Sequence, residues 1–309
     1  MKKENRKMMR KLILICFVML MFAGCAAEKE NEVPVQPEAE TGIRIETVET
    51  GSFSMDYFRF GNGKKTFVIL PGLSVQSVMG FADSVAEAYR VLCDDYTVYL
   101  FDRRKKLPES YSVHEMATDT AEAFRALGLK DISLFGASQG GMIAMEIAMN
   151  EPELIENLVL GSTSACVKEQ QYQTIEKWID LAKAGEKEEL YLAFGEAIYP
   201  KEVYEQSKQL LIDAAETTSD EDLERFIILA EGIRGFDVSG DLEKIVCPVL
   251  VLGSMDDQVL GADASIEIGE HFKDRDDFVI YMYDGYGHAV YDLAPDYKER
   301  ILGFLRSVK

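Results

Sequence analysis

Histidine is scarce in this chain, three in 309 residues, and bases are outnumbered. There are 33 Lys and Arg against 54 Asp and Glu, a formal net charge of −21. A surface that acidic repels phosphate backbones, so nucleic acid is not an expected partner. The five cysteines include no CxxC pair, so the sequence offers no metal site of that type. The wholly apolar run at 12–22 (LILICFVMLMF) falls short of the roughly 20 residues that a membrane span needs. No internal repeat is visible. The remainder is ordinary: 47% hydrophobic and 28% charged residues, enough to build a large core and unlike a disordered or collagen-like chain.

The first segment reads as an address. Residues 1–11 carry six bases and one acid, the apolar run follows, and Ala23-Gly24-Cys25 closes it. A basic stretch, a short apolar stretch and small residues at a cut make a secretory signal at 1–24. The small residue before Cys25 resembles the lipobox of bacterial lipoproteins, with Phe22 where an aliphatic residue is usual. By that resemblance Cys25 is lipidated and anchors the mature protein to the outside of the cell membrane. Residues 25–42, rich in Glu and Pro and without aromatics, form a disordered tether. Cys93, Cys166 and Cys247 in the body are expected to be small buried hydrophobes, at least one of them a free thiol.

The body alternates strands and helices. Two short strands around Thr50-Gly51-Ser52 suggest a hairpin. Strands at 66–70, 97–101, 131–135 and 157–161 then alternate with helices near 77–92, 113–127 and 138–150. Nearly continuous apolar strands between helices predict an α/β fold, a mostly parallel sheet with helices on both faces. At 167–234 the rhythm gives way to three or four helices, rich in Glu, Lys, Gln, Ala and Leu. It resumes with strands at 248–253 and 277–283 and helices near 262–272 and 294–307. The core therefore spans 43–166 and 235–309, and 167–234 reads as an inserted helical lid over the strand ends, where such sheets bind ligands.

Gly136-Ala137-Ser138-Gln139-Gly140 lies between a strand and a helix. A nucleophile on so tight a turn needs neighbours without bulk, and the helix N-terminus behind it favours negative charge. Of the three histidines, His114 and His271 sit on helices and read as solvated. His288, in the glycine-rich loop after the last strand, lies at the same sheet edge as Ser138 and is the expected base. Its orienting carboxylate is expected at Asp256, three residues beyond the strand-ending Gly253, with Asp257 the nearest rival.

The order Ser138, Asp256, His288, with PGLS, FDRR, GASQGGMIA, LVLGST, GSMDDQV and GYGHAVYD at their strand ends, resembles the α/β-hydrolase family, lidded and of the GxSxG type. That resemblance implies Ser138 as nucleophile, His288 as base then acid, and Asp256 as its orienter. It places the oxyanion hole at the backbone N–H groups of Leu73 and Gln139. It implies hydrolysis of a carboxylic ester, thioester or amide of a small or acyl substrate, with no metal and no organic cofactor. Aminopeptidase, C–C hydrolase and cofactor-free peroxidase chemistry on the same fold stay open, as does a non-catalytic binding lipoprotein. Where the family commonly has D-x-R-G-x-G-x-S, this chain has DRRKKLPES. Arg103, Arg104, Lys105 and Lys106 are thus expected at the pocket rim, attracting an anionic group or pairing with lid carboxylates.

Overall fold

The computed structural model describes residues 42–308. The signal at 1–24, Cys25 and the tether up to residue 41 lie outside the described residues. Among those described, no helix is long and apolar enough to cross a membrane.

Eight strands form one sheet in the order β1-β2-β4-β3-β5-β6-β7-β8. β1 (Ile45–Glu49) and β2 (Ser54–Phe60) make the expected antiparallel hairpin, and β2 pairs antiparallel with β4 (Tyr96–Arg104). β3 (Lys65–Leu70), β5 (Ile132–Ala137), β6 (Ile155–Gly161), β7 (Val249–Ser254) and β8 (Phe278–Tyr283) are parallel with β4. Side chains alternate between faces along a strand, and in the central strands β5, β6 and β7 both faces are buried. Val68 and Leu70 of β3 enter one apolar cluster and Phe67 and Ile69 the other; Leu134 and Phe135 of β5 divide in the same way.

Helices cover both faces. α1 (Ala82–Ala88) is short and flanked by 3-10 turns, so the helix expected at 77–92 is broken into pieces. α2 (Val113–Ala126) starts on a capping box in which Ser112 Oγ accepts from Glu115 N at 3.2 Å and the Glu115 carboxylate accepts from Ser112 N. α3 (Gln139–Asn150) is buried at every residue but the last, which its run MIAMEIAM makes possible. Four consecutive helices separate β6 from β7: α4 (Glu169–Ala184), α5 (Lys187–Ile198), α6 (Lys201–Thr217) and α7 (Asp220–Glu231). Val167 N donates to Phe236 O and Val238 N to Ala165 O, so an antiparallel stem closes the base of this insertion. α8 (Ala262–Phe272), a single turn α9 (Val290–Leu293) and α10 (Tyr297–Ser307) complete the chain.

The three body cysteines are free, but only Cys247 is buried; Cys93 and Cys166 are half-exposed, so the uniform burial expected for them does not hold. Cys93 caps a 3-10 turn, and Cys166 bridges Asp237 in the stem of the insertion.

Connections leave β3 for β4 on one side and return to β5 on the other. The C-terminal ends of β3 and β5 therefore flank a crevice of the kind where open parallel sheets take ligands.

Candidate active site

Ser138 occupies the step from β5 to α3 with φ 51° and ψ −120°, a conformation costly for a residue with a Cβ. The glycines around it follow from close packing. A Cβ on Gly136 would overlap the backbone of Gly140, and one on Gly140 would overlap the carbonyl of Leu70. The turn is held further by Thr163 Oγ1, which donates to Ser138 O at 2.7 Å, and by Ser138 N, which donates to Gly161 O at 2.8 Å. Its hydroxyl faces a cavity at the sheet edge.

Across that cavity, His288 Nε2 lies 2.9 Å from Ser138 Oγ. The imidazole is 3% exposed and is carried by the loop after β8. Gly287, at φ 67°, lets this loop run close under the insertion, where Ala289 N donates to Ile198 O at 3.0 Å. The other two histidines are elsewhere: His271 is exposed, and His114 is a largely exposed partner of Glu146 at 3.2 Å.

The carboxylate beside the imidazole is Asp257, not Asp256. Asp257 Oδ2 lies 2.8 Å from His288 Nδ1, while Oδ1 accepts from Val259 N at 2.8 Å and Leu260 N at 3.0 Å. Asp256 is exposed and turns the other way, its carboxylate accepting from Gly285 N. The cause is packing. Val259 and Leu260 are buried, and folding them inward presents their N–H groups to the carboxylate two and three residues earlier, leaving the preceding acid outside. Burial pushes the Asp257 carboxyl up, but the facing imidazole and the hydrogen bonds from the ring, Leu260 and Val259 outweigh it and hold the group below its ordinary value. Three groups from three strand ends, 31 and 150 residues apart, thus stand in hydrogen-bonded series.

Known proteins agree with this architecture. A family model described as the alpha/beta hydrolase fold matches residues 65–184. MGS-M2, an alpha/beta hydrolase enzyme from a Medee basin deep-sea metagenome library, superposes with a TM-score of 0.76 at 22% identity, over 85% of this chain and 98% of that one. An esterase from Thermogutta terrifontis gives 0.69 at 16% identity, over 86% and 98%. The chain has the α/β-hydrolase fold. In sequence it is also similar to a protein of Agrobacterium fabrum provisionally named carbamate hydrolase RutD, 25% identical over 69% of this chain and 84% of that one.

Within this hydrolase fold, Leu73 lines the cavity with Ser138 and His288, and Gln139 opens α3 directly after the serine. The rest of the lining is apolar: Met142 on α3, Ile175 and Trp178 on α4, Phe194 and Ile198 on α5, with Ile233, Val259, Leu260 and Tyr291. The space is small, about 40 Å³, and the Trp178 and Phe194 rings meet in the insertion with centroids 4.5 Å apart, tilted 44° to each other. Among the described residues, no cluster of His, Cys, Asp and Glu is arranged to hold a metal ion.

The basic run does not line the cavity. β4 extends three residues beyond the expected 97–101 and takes Arg103 into the interior, 4% exposed. Arg104 pairs with Asp119 at 3.3 Å and stacks over Phe53, and Lys105 pairs with Asp56 at 3.0 Å. Their partners belong to the core and its hairpin, not to the helical insertion.

Proposed function

We propose that the protein is a serine hydrolase that cleaves a carboxylic ester, the same roles serving a thioester or amide. The observation that carries this reading is the continuous series Ser138 Oγ, His288 Nε2 and Nδ1, Asp257 Oδ2, with separations of 2.9 and 2.8 Å. Ser138 attacks the substrate carbonyl while His288 takes its proton. The backbone N–H groups of Leu73 and Gln139 receive the oxyanion, and the dipole of α3 adds to their effect. His288 then protonates the leaving group; water, deprotonated by the same imidazole, releases the acid from the acyl-enzyme. Asp257 fixes the ring and stabilises its charged form.

In this reading α4–α7 act as a lid, since Ile175, Trp178, Phe194 and Ile198 supply the roof of the cavity. The names of the similar proteins, hydrolases and an esterase, support hydrolysis as the reaction class. With the leader and Cys25, the enzyme is a lipoprotein working outside the cytoplasm, tethered to the membrane.

The test is a fluorophosphonate probe with mass-spectrometric mapping, beside turnover of p-nitrophenyl esters. Label on Ser138, and its loss together with turnover in Ser138→Ala, is the expected result. Full turnover by Ser138→Ala, or label on another serine, overturns the assignment.

A further inference from the structure

The two N–H groups assigned to the oxyanion belong to different segments, the loop after β3 and the first residue of α3. Something must hold those segments at a fixed spacing, because a displaced donor forfeits most of its effect. One side chain touches both. Arg103 Nη2 donates to Pro71 O at 2.9 Å, two residues before Leu73, and to Gln139 Oε1 at 3.1 Å.

The guanidinium is costly to keep there. It is buried, and its Nε has no hydrogen-bond partner. An unsatisfied buried N–H is destabilising, and an apolar side chain would avoid it. Burial lowers the pKa of Arg103 to about 10, against Asp102, which raises it, so the group is still charged at neutral pH.

The same network reaches the insertion. Gln139 Nε2 donates to Leu229 O of α7 at 2.6 Å. Arg225, also on α7, donates to the carboxylate of Asp102, which accepts from Ser77 Oγ at 2.5 Å as well. Asp102 and Arg103 are neighbours on β4, and the Asp102 carboxylate also accepts from Arg103 N at 2.8 Å. The loop after β3, the serine turn and α7 are thereby tied to one end of one strand.

We propose that Arg103 is the positioning residue of the oxyanion hole, its Nη2 bridging Pro71 O and Gln139 Oε1 so that the N–H groups of Leu73 and Gln139 converge on one point. The inference rests on the serine-hydrolase reading. It assigns Arg103 no contact with substrate: its effect passes through the two backbone segments. Its loss therefore weakens transition-state binding and leaves ground-state binding nearly intact.

The experiment uses Arg103→Met and Arg103→Lys in the full chain, with kcat and KM on a p-nitrophenyl ester and Ki for a trifluoromethyl ketone. That ketone adds to the serine: the Oγ–C bond forms, the carbonyl π pair moves onto oxygen, and the hydroxyl proton goes to His288. Its affinity therefore reports the oxyanion hole directly. In Arg103→Met, kcat falls by about 10- to 100-fold, Ki rises by a similar factor and KM stays within about twofold. Arg103→Lys, which keeps a cationic donor, recovers part of both, and it decides the matter alone if the methionine variant does not fold. Unchanged kcat and Ki in a folded variant, or a loss confined to KM, overturns the proposal. Wild-type protein that neither takes the fluorophosphonate probe nor turns over esters overturns instead the reading beneath it.

Discussion

His288 Nδ1 meets Asp257 Oδ2 at 2.8 Å, and the other oxygen of that carboxylate is already occupied by two N–H groups of its own loop. The acid is thus oriented before it orients the base. Asp257→Asn removes the negative charge that supports the imidazolium and can present an amide to the ring, favouring the wrong tautomer. We expect kcat on a p-nitrophenyl ester to fall by about 10⁴-fold. Asp256→Asn keeps an oxygen for Gly285 N and changes kcat by no more than about twofold. Steady-state kinetics of the two variants side by side separates the neighbours.

The same carboxyl bears on acid stability. Its folded-state pKa lies below the ordinary value of 3.8: burial raises it, and the imidazole and hydrogen bonds lower it further than that. A depressed pKa contributes stability that is present in full above the unfolded value and is lost as pH falls through the folded one. Wild-type Tm therefore drops on acidification below about pH 4. Asp257→Asn shows a shallower drop across that window in thermal unfolding followed by circular dichroism.

The cavity beside Ser138 holds about 40 Å³, room for about three water-sized groups. Its lining holds no Asp, Glu, Lys or Arg, so on the serine-hydrolase reading short uncharged acyl groups are expected to fit better than long or anionic ones. Across a p-nitrophenyl series, kcat/KM is expected to peak at two to about four acyl carbons, since each ill-fitting methylene costs about 1–3 kcal/mol. Trp178→Ala clears the wall next to Phe194 and moves the peak to longer chains. It also costs about 3–5 kcal/mol of stability, because the indole is 3% exposed.

The sheet was legible because its strands are almost unbroken runs of apolar residues, and a strand buried on both faces leaves no other pattern. The serine turn was legible because its glycines are dictated by backbone overlap rather than by taste for a motif. The choice between Asp256 and Asp257 was not. It depends on which acid the buried Val259 and Leu260 swing inward, and adjacent acids look alike until the turn is formed; the spacing of Asp257 to two buried N–H groups is the signal that marks it. Arg103 was misplaced for a similar reason. It was expected at the pocket rim with the three bases that follow it, yet β4 continues through Arg104 and its pleat turns the first of the four inward.

Attachment through Cys25 is checked by metabolic labelling with an alkyne palmitate in a bacterial host. The wild-type chain takes the label and fractionates with membranes. Cys25→Ser loses the label and appears in the soluble extracytoplasmic fraction with kcat unchanged, because the proposed catalytic groups all lie beyond residue 42. Label retained in Cys25→Ser rules the anchor site out.

The bond from Ala289 N to Ile198 O joins the segment bearing the imidazole to the end of α5, some ninety residues away along the chain. Protein engineers often treat such a cap as an exchangeable cassette, swapped to alter which molecules are accepted. On the serine-hydrolase reading, the cassette here is also scaffolding for the proton carrier. A graft that lacks a carbonyl at that place would retune selectivity and slacken the chemistry in one stroke.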